Sequence, residues 1–328
     1  MKRDVIIVGA GAAGLEAARV VRAHGLSALV LEARDRAGGR ILTVEDPRVP
    51  LPIELGAEFI HGEGSLTKQL LDRAGLTRFA VDAEHGSASR GRLRPTPYWP
   101  AIQRVLKLID TDGADESMAE FLGRRPGGAR LARARTITRK YVEGFHAADP
   151  RRISAQSIAP SPGETAVASR LGRVTQGYQG LIDWLARDLR RSLRLRSEVR
   201  AIAWRPGHVT VDSRGPAGGR MSATARAAIV TVPVGVLQAP RYARGTIAFD
   251  PEPPRLREAL AGLVMGSAVR LSVWTRHDLW EPGDDGRAAF LHFSDGPFQV
   301  GWTPGPDAWP HLGVWSGGEF FPIGPLPE

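Results

Sequence analysis

Gly9-Ala-Gly11-Ala-Ala-Gly14 follows directly on the apolar run Val5-Ile6-Ile7-Val8. Three glycines at that spacing suit one kind of chemistry, the holding of a pyrophosphate. Gly9 permits a tight turn, Gly11 lets the backbone approach phosphate oxygens, and Gly14 lets a helix lie close on the preceding strand. Glu32, at the end of the next apolar run, can accept hydrogen bonds from a ribose. Beyond it, Arg34-Asp35-Arg36-Ala37-Gly38-Gly39-Arg40 sets two adjacent glycines and a guanidinium after the strand. Adjacent glycines again allow close backbone approach, and Arg40 offers charge to an anionic or electron-rich partner. The same loop residues suit a solvated turn equally well.

The elements that must position these residues are legible around them. Residues 5–8 predict a parallel strand buried on both faces. Leu15, Ala18, Val21 and Arg22 recur at helical spacing, and Gly25 is a suitable stop. Residues 28–31 predict a second strand ending on Glu32. Strand, helix, strand and acid in register make a βαβ dinucleotide-binding unit.

The whole chain has 328 residues, enough for two domains, with 42% hydrophobic and 24% charged residues. The formal charge of +9 invites a nucleic-acid partner, yet all but four of the 44 basic residues are arginine, scattered along the chain. No basic patch with interleaved aromatics is present, so nucleic acid is not expected as a partner. Cysteine is absent, which excludes disulfides, thiolate metal sites and a cysteine nucleophile, and fits a reducing cytoplasm. No metal site is expected. The N-terminus runs straight into a strand, and the longest apolar stretch, residues 227–239, is too short to span a bilayer and contains Pro233. A soluble, cytoplasmic protein without a membrane partner is the expectation.

Further along, residues 65–75 predict a helix with Ser65 as N-cap and Gly75 as stop. Residues 82–97 are loop-like and predict a domain crossing; residues 99–145 predict mostly helix, with His146 and Asp149 at its end. Leu181, Ile182, Leu185 and Leu189 share one helix face. "LRLRSEVRAIAW" and "GHVTVDS" predict paired strands about a turn at Pro206-Gly207. "ARAAIVTVPVGVLQ" predicts a strand ending at Pro233.

The run "EARDRAGGR" and the order of these segments resemble the flavin-dependent amine oxidase family, which includes monoamine and polyamine oxidases. That resemblance implies FAD rather than a nicotinamide, with Arg34 and the Gly38-Gly39-Arg40 loop against it. Residues 53–62, "IELGAEFIHG", resemble the element that passes beside the flavin ring. Gly56, Ala57, Glu58 and Phe59 then line the cofactor, and His61 faces the substrate; on its residues alone, His61 equally caps a turn before Gly62. By the same resemblance Val199 contributes backbone contacts to the adenine and Pro233 lies near the dinucleotide. "LVMGSAVRLSVWTRHDLW", residues 263–280, resembles the family segment whose lysine holds a water against flavin N5. Here that position is Arg270, which either alters the chemistry or binds a substrate carboxylate, as in an amino-acid oxidase.

The implied fold is an α/β two-domain flavoprotein: a dinucleotide-binding, Rossmann-like FAD domain and an α+β substrate domain with interleaved segments. The expected division is 1–82 and 173–240 for the FAD domain, 83–172 and 241–328 for the substrate domain. The implied activity is oxidation of a small-molecule amine to an imine, with oxygen as final acceptor and hydrogen peroxide as product. Residues 320–328, "FFPIGPLPE", resemble nothing in the family, whose members continue into a final FAD-binding segment. A truncated, inactive remnant with weak or no FAD binding is therefore an alternative expectation. An L-amino-acid oxidase, or another FAD-dependent oxidase or desaturase on the same fold, is a further one.

Overall fold

A computed structural model of the chain describes residues 2–49, 51–61, 66–81, 84–89, 92–160, 171–189, 191–275, 290–294, 296–303 and 311–318. The expected N-cap Ser65, Gly62 and residues 320–328 lie outside them. The chain forms two compact units, Met1–Thr43 with Gln176–Met265, and Val44–Thr175 with Gly266–Glu328. Against the expected breaks after residues 82, 172 and 240, the chain passes from one unit to the other after residues 43, 175 and 265.

The first unit is built on β1 (Lys2–Val8), α1 (Ala12–Ala23) and β2 (Ala28–Leu31). Ile6 and Ile7 are fully buried, as befits a central strand covered on both faces. β1 pairs in parallel with β2 on one side and with Arg220–Val230 on the other. A seven-stranded sheet results, in the order Leu193–Arg194, β2, β1, Arg220–Val230, His208–Arg214, Glu198–Arg205, Ala248–Asp250. Pro206 and Gly207, the latter at φ +74°, turn Glu198–Arg205 into its antiparallel partner His208–Arg214. α1 stops as expected: Gly25 takes φ +76°, its N–H donates to Arg22 O at 2.9 Å, and Leu26 N–H donates to Val21 O at 3.2 Å. Residues 241–265 belong here because Ala248–Asp250 pairs with residues 201–203 and the Gln238 amide donates to the Leu260 and Leu263 carbonyls.

The second unit holds a six-stranded sheet in the order Ala268–Trp274, His311–Gly317, Val300–Trp302, Phe290–Phe293, His85–Ser89, Arg92–Pro95. A smaller sheet pairs Phe59–His61 and Arg78–Val81 with the two edges of Leu171–Val174, which draws residues 44–81 into this unit. Its helical core gathers Ile102, Val105, Met118, Phe121, Leu131 and Val142 from three helices and a connecting turn. A reciprocal capping pair, Ser117 with Glu120, starts the helix Met118–Gly123.

The loop expected over residues 82–97 is corrected within its described part: His85–Ser89 and Arg92–Pro95 are antiparallel strands. "HGSAS" has almost no intrinsic strand preference, but Phe290–Phe293 pairs with it in parallel from about 200 residues away. Tertiary pairing decides the conformation there.

Candidate functional site

In the first unit the glycines have distinct duties. Gly9 sits at φ +103°, and its N–H donates to Leu31 O at 2.8 Å. A Cβ on Gly14 would lie 2.0 Å from Gly9 O, so only glycine lets α1 approach the turn. A Cβ on Gly11 would meet nothing within 4 Å. Gly11 therefore borders open space, and it is also the N-cap of the twelve-residue α1, with no side-chain cap and no acid in the first turn. The leading N–H groups and the positive end of the helix are left for an anion.

Glu32, 8% exposed, closes one side of this cradle. Its Oε2 accepts from Ala10 N–H at 2.8 Å and its Oε1 from Arg34 N–H at 2.9 Å. Each oxygen keeps a lone pair for a ribose hydroxyl. The Gly38-Gly39 loop folds back on the turn: Gly38 N–H donates to Ala10 O at 2.9 Å, and Gly38 bridges to Gly11. Both glycines have positive φ, +108° and +58°. Arg34 Nη1 holds the Gly39 carbonyl at 3.0 Å, and Arg36 holds the Gly39 and Ile41 carbonyls at 3.0 and 2.9 Å. Arg40 is exposed.

Val199 buries its side chain in the sheet core. Its backbone pairs with Ser213 on one side, while the parallel partner on the other side begins only at Ala201. Pro233 is the N-cap of the short helix Val234–Gln238. Sequence reasoning missed Thr231, whose hydroxyl donates to Val8 O at 3.0 Å beneath the glycine turn, and Arg36, whose role needs the folded loop to be seen. The open flank of Gly11, the uncapped helix end and the free lone pairs of Glu32 fit a dinucleotide's pyrophosphate and ribose.

In the second unit the segment 53–59 buries two acids and exposes a leucine. Glu54 and Glu58 are 3% and 4% exposed, whereas Leu55 is 42% exposed. Glu58 is held by three side chains. Arg270 Nη2 lies 2.5 Å from its Oε2, Arg173 Nη2 lies 2.6 Å from its Oε1, and Trp302 Nε1 donates to Oε2 at 2.9 Å. Arg173 approaches off the hydrogen-bonding direction, so Oε1 has an ion-pair contact but no aligned hydrogen bond. Arg270 Nη1 also donates to Gly56 O at 3.1 Å, and its guanidinium lies 5.2 Å from the Trp302 ring centroid. Burial lowers the Arg173 pKa, the Arg270 charge lowers it further, and Glu58 and Glu54 oppose that shift.

Phe59 and His61 enter a circuit of rings. Phe59 meets His61 at 6.5 Å, His61 meets Phe145 at 5.9 Å, Phe145 meets Trp99 at 6.1 Å, Trp99 meets His85 at 5.9 Å, His85 meets Phe290 at 5.1 Å, and Phe290 returns to Phe59 at 5.6 Å. His61 and Phe145 are its exposed members. Desolvation of its inner side lowers the His61 pKa, which favours the neutral imidazole. Deeper in, His85 Nδ1 and His292 Nε2 share a hydrogen bond of 2.8 Å, and burial depresses their pKa values to about 4 and about 3.

Gly9, Gly11, Gly14, Glu32, Arg34, Gly38 and Gly39 thus come together in the first unit, with Val199 and Pro233 on the same unit. Gly56, Ala57, Glu58, Phe59, His61 and Arg270 lie in the second. Among the described residues no helix is long and apolar enough to cross a membrane, and no group of three or more metal-ligating side chains occurs.

Comparison with known proteins agrees with this geometry. The family described as flavin containing amine oxidoreductase matches residues 12–98 and 88–310. Polyamine oxidase 2 from Arabidopsis thaliana is 29% identical over 308 residues, covering 84% of this chain and 59% of the relative, so the chain spans about three-fifths of that relative's length. Putrescine oxidase bound to putrescine superposes with a TM-score of 0.76 at 23% identity, covering 98% of this chain and 76% of that one. Cyclohexylamine oxidase from Brevibacterium oxydans superposes with 0.76 at 21% identity, covering 97% and 76%. These two likenesses establish the α/β two-domain flavoprotein fold. The chain belongs to the flavin-containing amine oxidoreductases, and FAD is the dinucleotide of that family.

Proposed function

We propose that the protein oxidises a small-molecule amine to the imine by hydride transfer, with oxygen as the final electron acceptor and hydrogen peroxide as product. FAD, when bound, supplies the hydride acceptor and the route of two electrons to oxygen. The protein supplies placement and electrostatics. The observation that carries this reading is the cradle of Gly9, Gly11, Gly14 and Glu32 on an uncapped helix end, in a chain of this family.

In this reading α1 and the glycine turn hold the pyrophosphate, and Glu32 accepts from the ribose hydroxyls. Arg34 keeps the Gly38-Gly39 turn in place along the cofactor, and Arg40 offers it a charge. The Val199 backbone contacts the adenine, and Pro233 carries the chain past the dinucleotide. The backbone of Gly56, Ala57, Glu58 and Phe59 lines the flavin, with Leu55 and Ala57 exposed along the same segment. His61 faces the amine. Its neutral imidazole can accept a hydrogen bond without repelling a cationic substrate during capture.

Peroxidase-coupled detection of hydrogen peroxide tests the reading, with spermine, putrescine, phenylethylamine and cyclohexylamine offered to the FAD-loaded protein. Peroxide released in step with the loss of one amine is expected. Silence across the panel with fully bound FAD would remove the oxidase claim and leave a flavin-binding member of the family.

A further inference from the structure

Arg270 stands where the family segment carries a lysine, and a guanidinium there has two uses: it can clamp a substrate carboxylate or it can hold the protein together. Its surroundings discriminate. Nη2 lies 2.5 Å from Glu58 Oε2, and Nη1 donates to Gly56 O at 3.1 Å. Nε has no hydrogen-bond partner among the described residues, and the side chain is 8% exposed. A substrate carboxylate would need the planar fork, and its two terminal nitrogens are already engaged, Nη2 by Glu58 and Nη1 by the Gly56 carbonyl.

Glu58 is in no position to yield. Arg173 Nη2 lies 2.6 Å from its Oε1, Trp302 Nε1 donates to its Oε2 at 2.9 Å, and its side chain is 2% exposed. Driving it off would bury a carboxylate without its partner and leave Arg173 facing Arg270. The two groups that Arg270 grips, Gly56 and Glu58, both belong to the turn that runs into Phe59 and His61.

We propose that Arg270 is a positioning residue that fixes the 56–59 turn, and that Glu58, by holding it, restricts the protein to amines without a carboxylate on the nitrogen-bearing carbon. The proposal rests on the oxidase reading for its substrate arm; its binding arm does not. Phenylethylamine and L-phenylalanine differ only by that carboxylate. With the unaltered FAD-loaded protein under anaerobic conditions, phenylethylamine is expected to bleach the flavin at least ~100-fold faster than L-phenylalanine. Calorimetric titration with benzoate is expected to give no saturable binding tighter than about 1 mM. Arg270→Lys should keep part of the bleaching rate that Arg270→Gln loses, with little change in the amine concentration at half-saturation. Comparable or faster bleaching by L-phenylalanine, or benzoate binding that Arg270→Gln abolishes, would overturn the proposal and make Arg270 a carboxylate receptor. If neither compound bleaches bound flavin, the oxidase reading fails instead, and the benzoate titration still decides the role of Arg270.

Discussion

The Thr231 hydroxyl donates to the Val8 carbonyl at 3.0 Å and stands 2.7 Å from the point where a Cβ on Gly14 would project. Helix, glycine turn and the end of the strand Arg220–Val230 therefore close on one another with no room to spare. Gly14→Ala should cost about 2–3 kcal/mol of stability, because the new methyl meets the Gly9 backbone rather than a side chain that can move. Thr231→Val should cost about 1 kcal/mol through its lost hydrogen bond. Chemical denaturation of each variant without cofactor checks both.

Gly11 predicts the opposite pattern. A Cβ there meets nothing in the protein. Gly11→Ala should leave the denaturation midpoint without FAD within about 1 kcal/mol of the parent. Its FAD affinity should fall at least ~10-fold, because the methyl occupies the phosphate's path. Fluorescence titration with FAD separates this variant from Gly14→Ala, which should lose stability as well.

Glu58→Gln would leave two buried guanidiniums beside a neutral amide. Loss of one partner from a buried ion cluster costs about 3–5 kcal/mol. Trp302 Nε1 can still donate to the amide oxygen, so the loss should be electrostatic rather than a loss of packing. Glu58→Gln combined with Arg270→Met should then recover part of that loss, measured as a denaturation midpoint higher than that of the single variant.

The His85–His292 pair makes stability depend on pH. Burial depresses both pKa values, to about 4 and about 3, from an ordinary value of 6.5. In that interval the unfolded chain binds more protons than the folded one, so stability is complete above about pH 6.5 and falls as pH drops toward 4. The slope should approach ~1.4 kcal/mol per pH unit for each histidine involved. Denaturation curves from pH 7.5 to 4.5 test this, and His292→Phe should flatten the decline.

Much of the first unit was legible because its determinants are local. Residues 28–31 form the strand that their apolar run predicts, Gly25 ends α1, and Pro206-Gly207 makes the turn. Backbone requirements of that kind are written in glycine and proline positions. The Glu58 cluster was not legible as a cluster: Arg173, Arg270 and Trp302 meet Glu58 from strands more than a hundred residues away, and nothing in their spacing marks the contact. Arg270 drew notice only as a departure from a lysine. The strand His85–Ser89 escaped detection for a related reason, since its conformation is imposed by a partner near residue 290.

The most direct test of the central claim is the absorption spectrum of the purified protein after loading with FAD, recorded without oxygen before and after adding amine. A flavin spectrum that bleaches with an amine and returns on admitting air, with one hydrogen peroxide formed per flavin reoxidised, is the result this account predicts. Fully bound flavin that stays oxidised in the presence of every amine offered would contradict it.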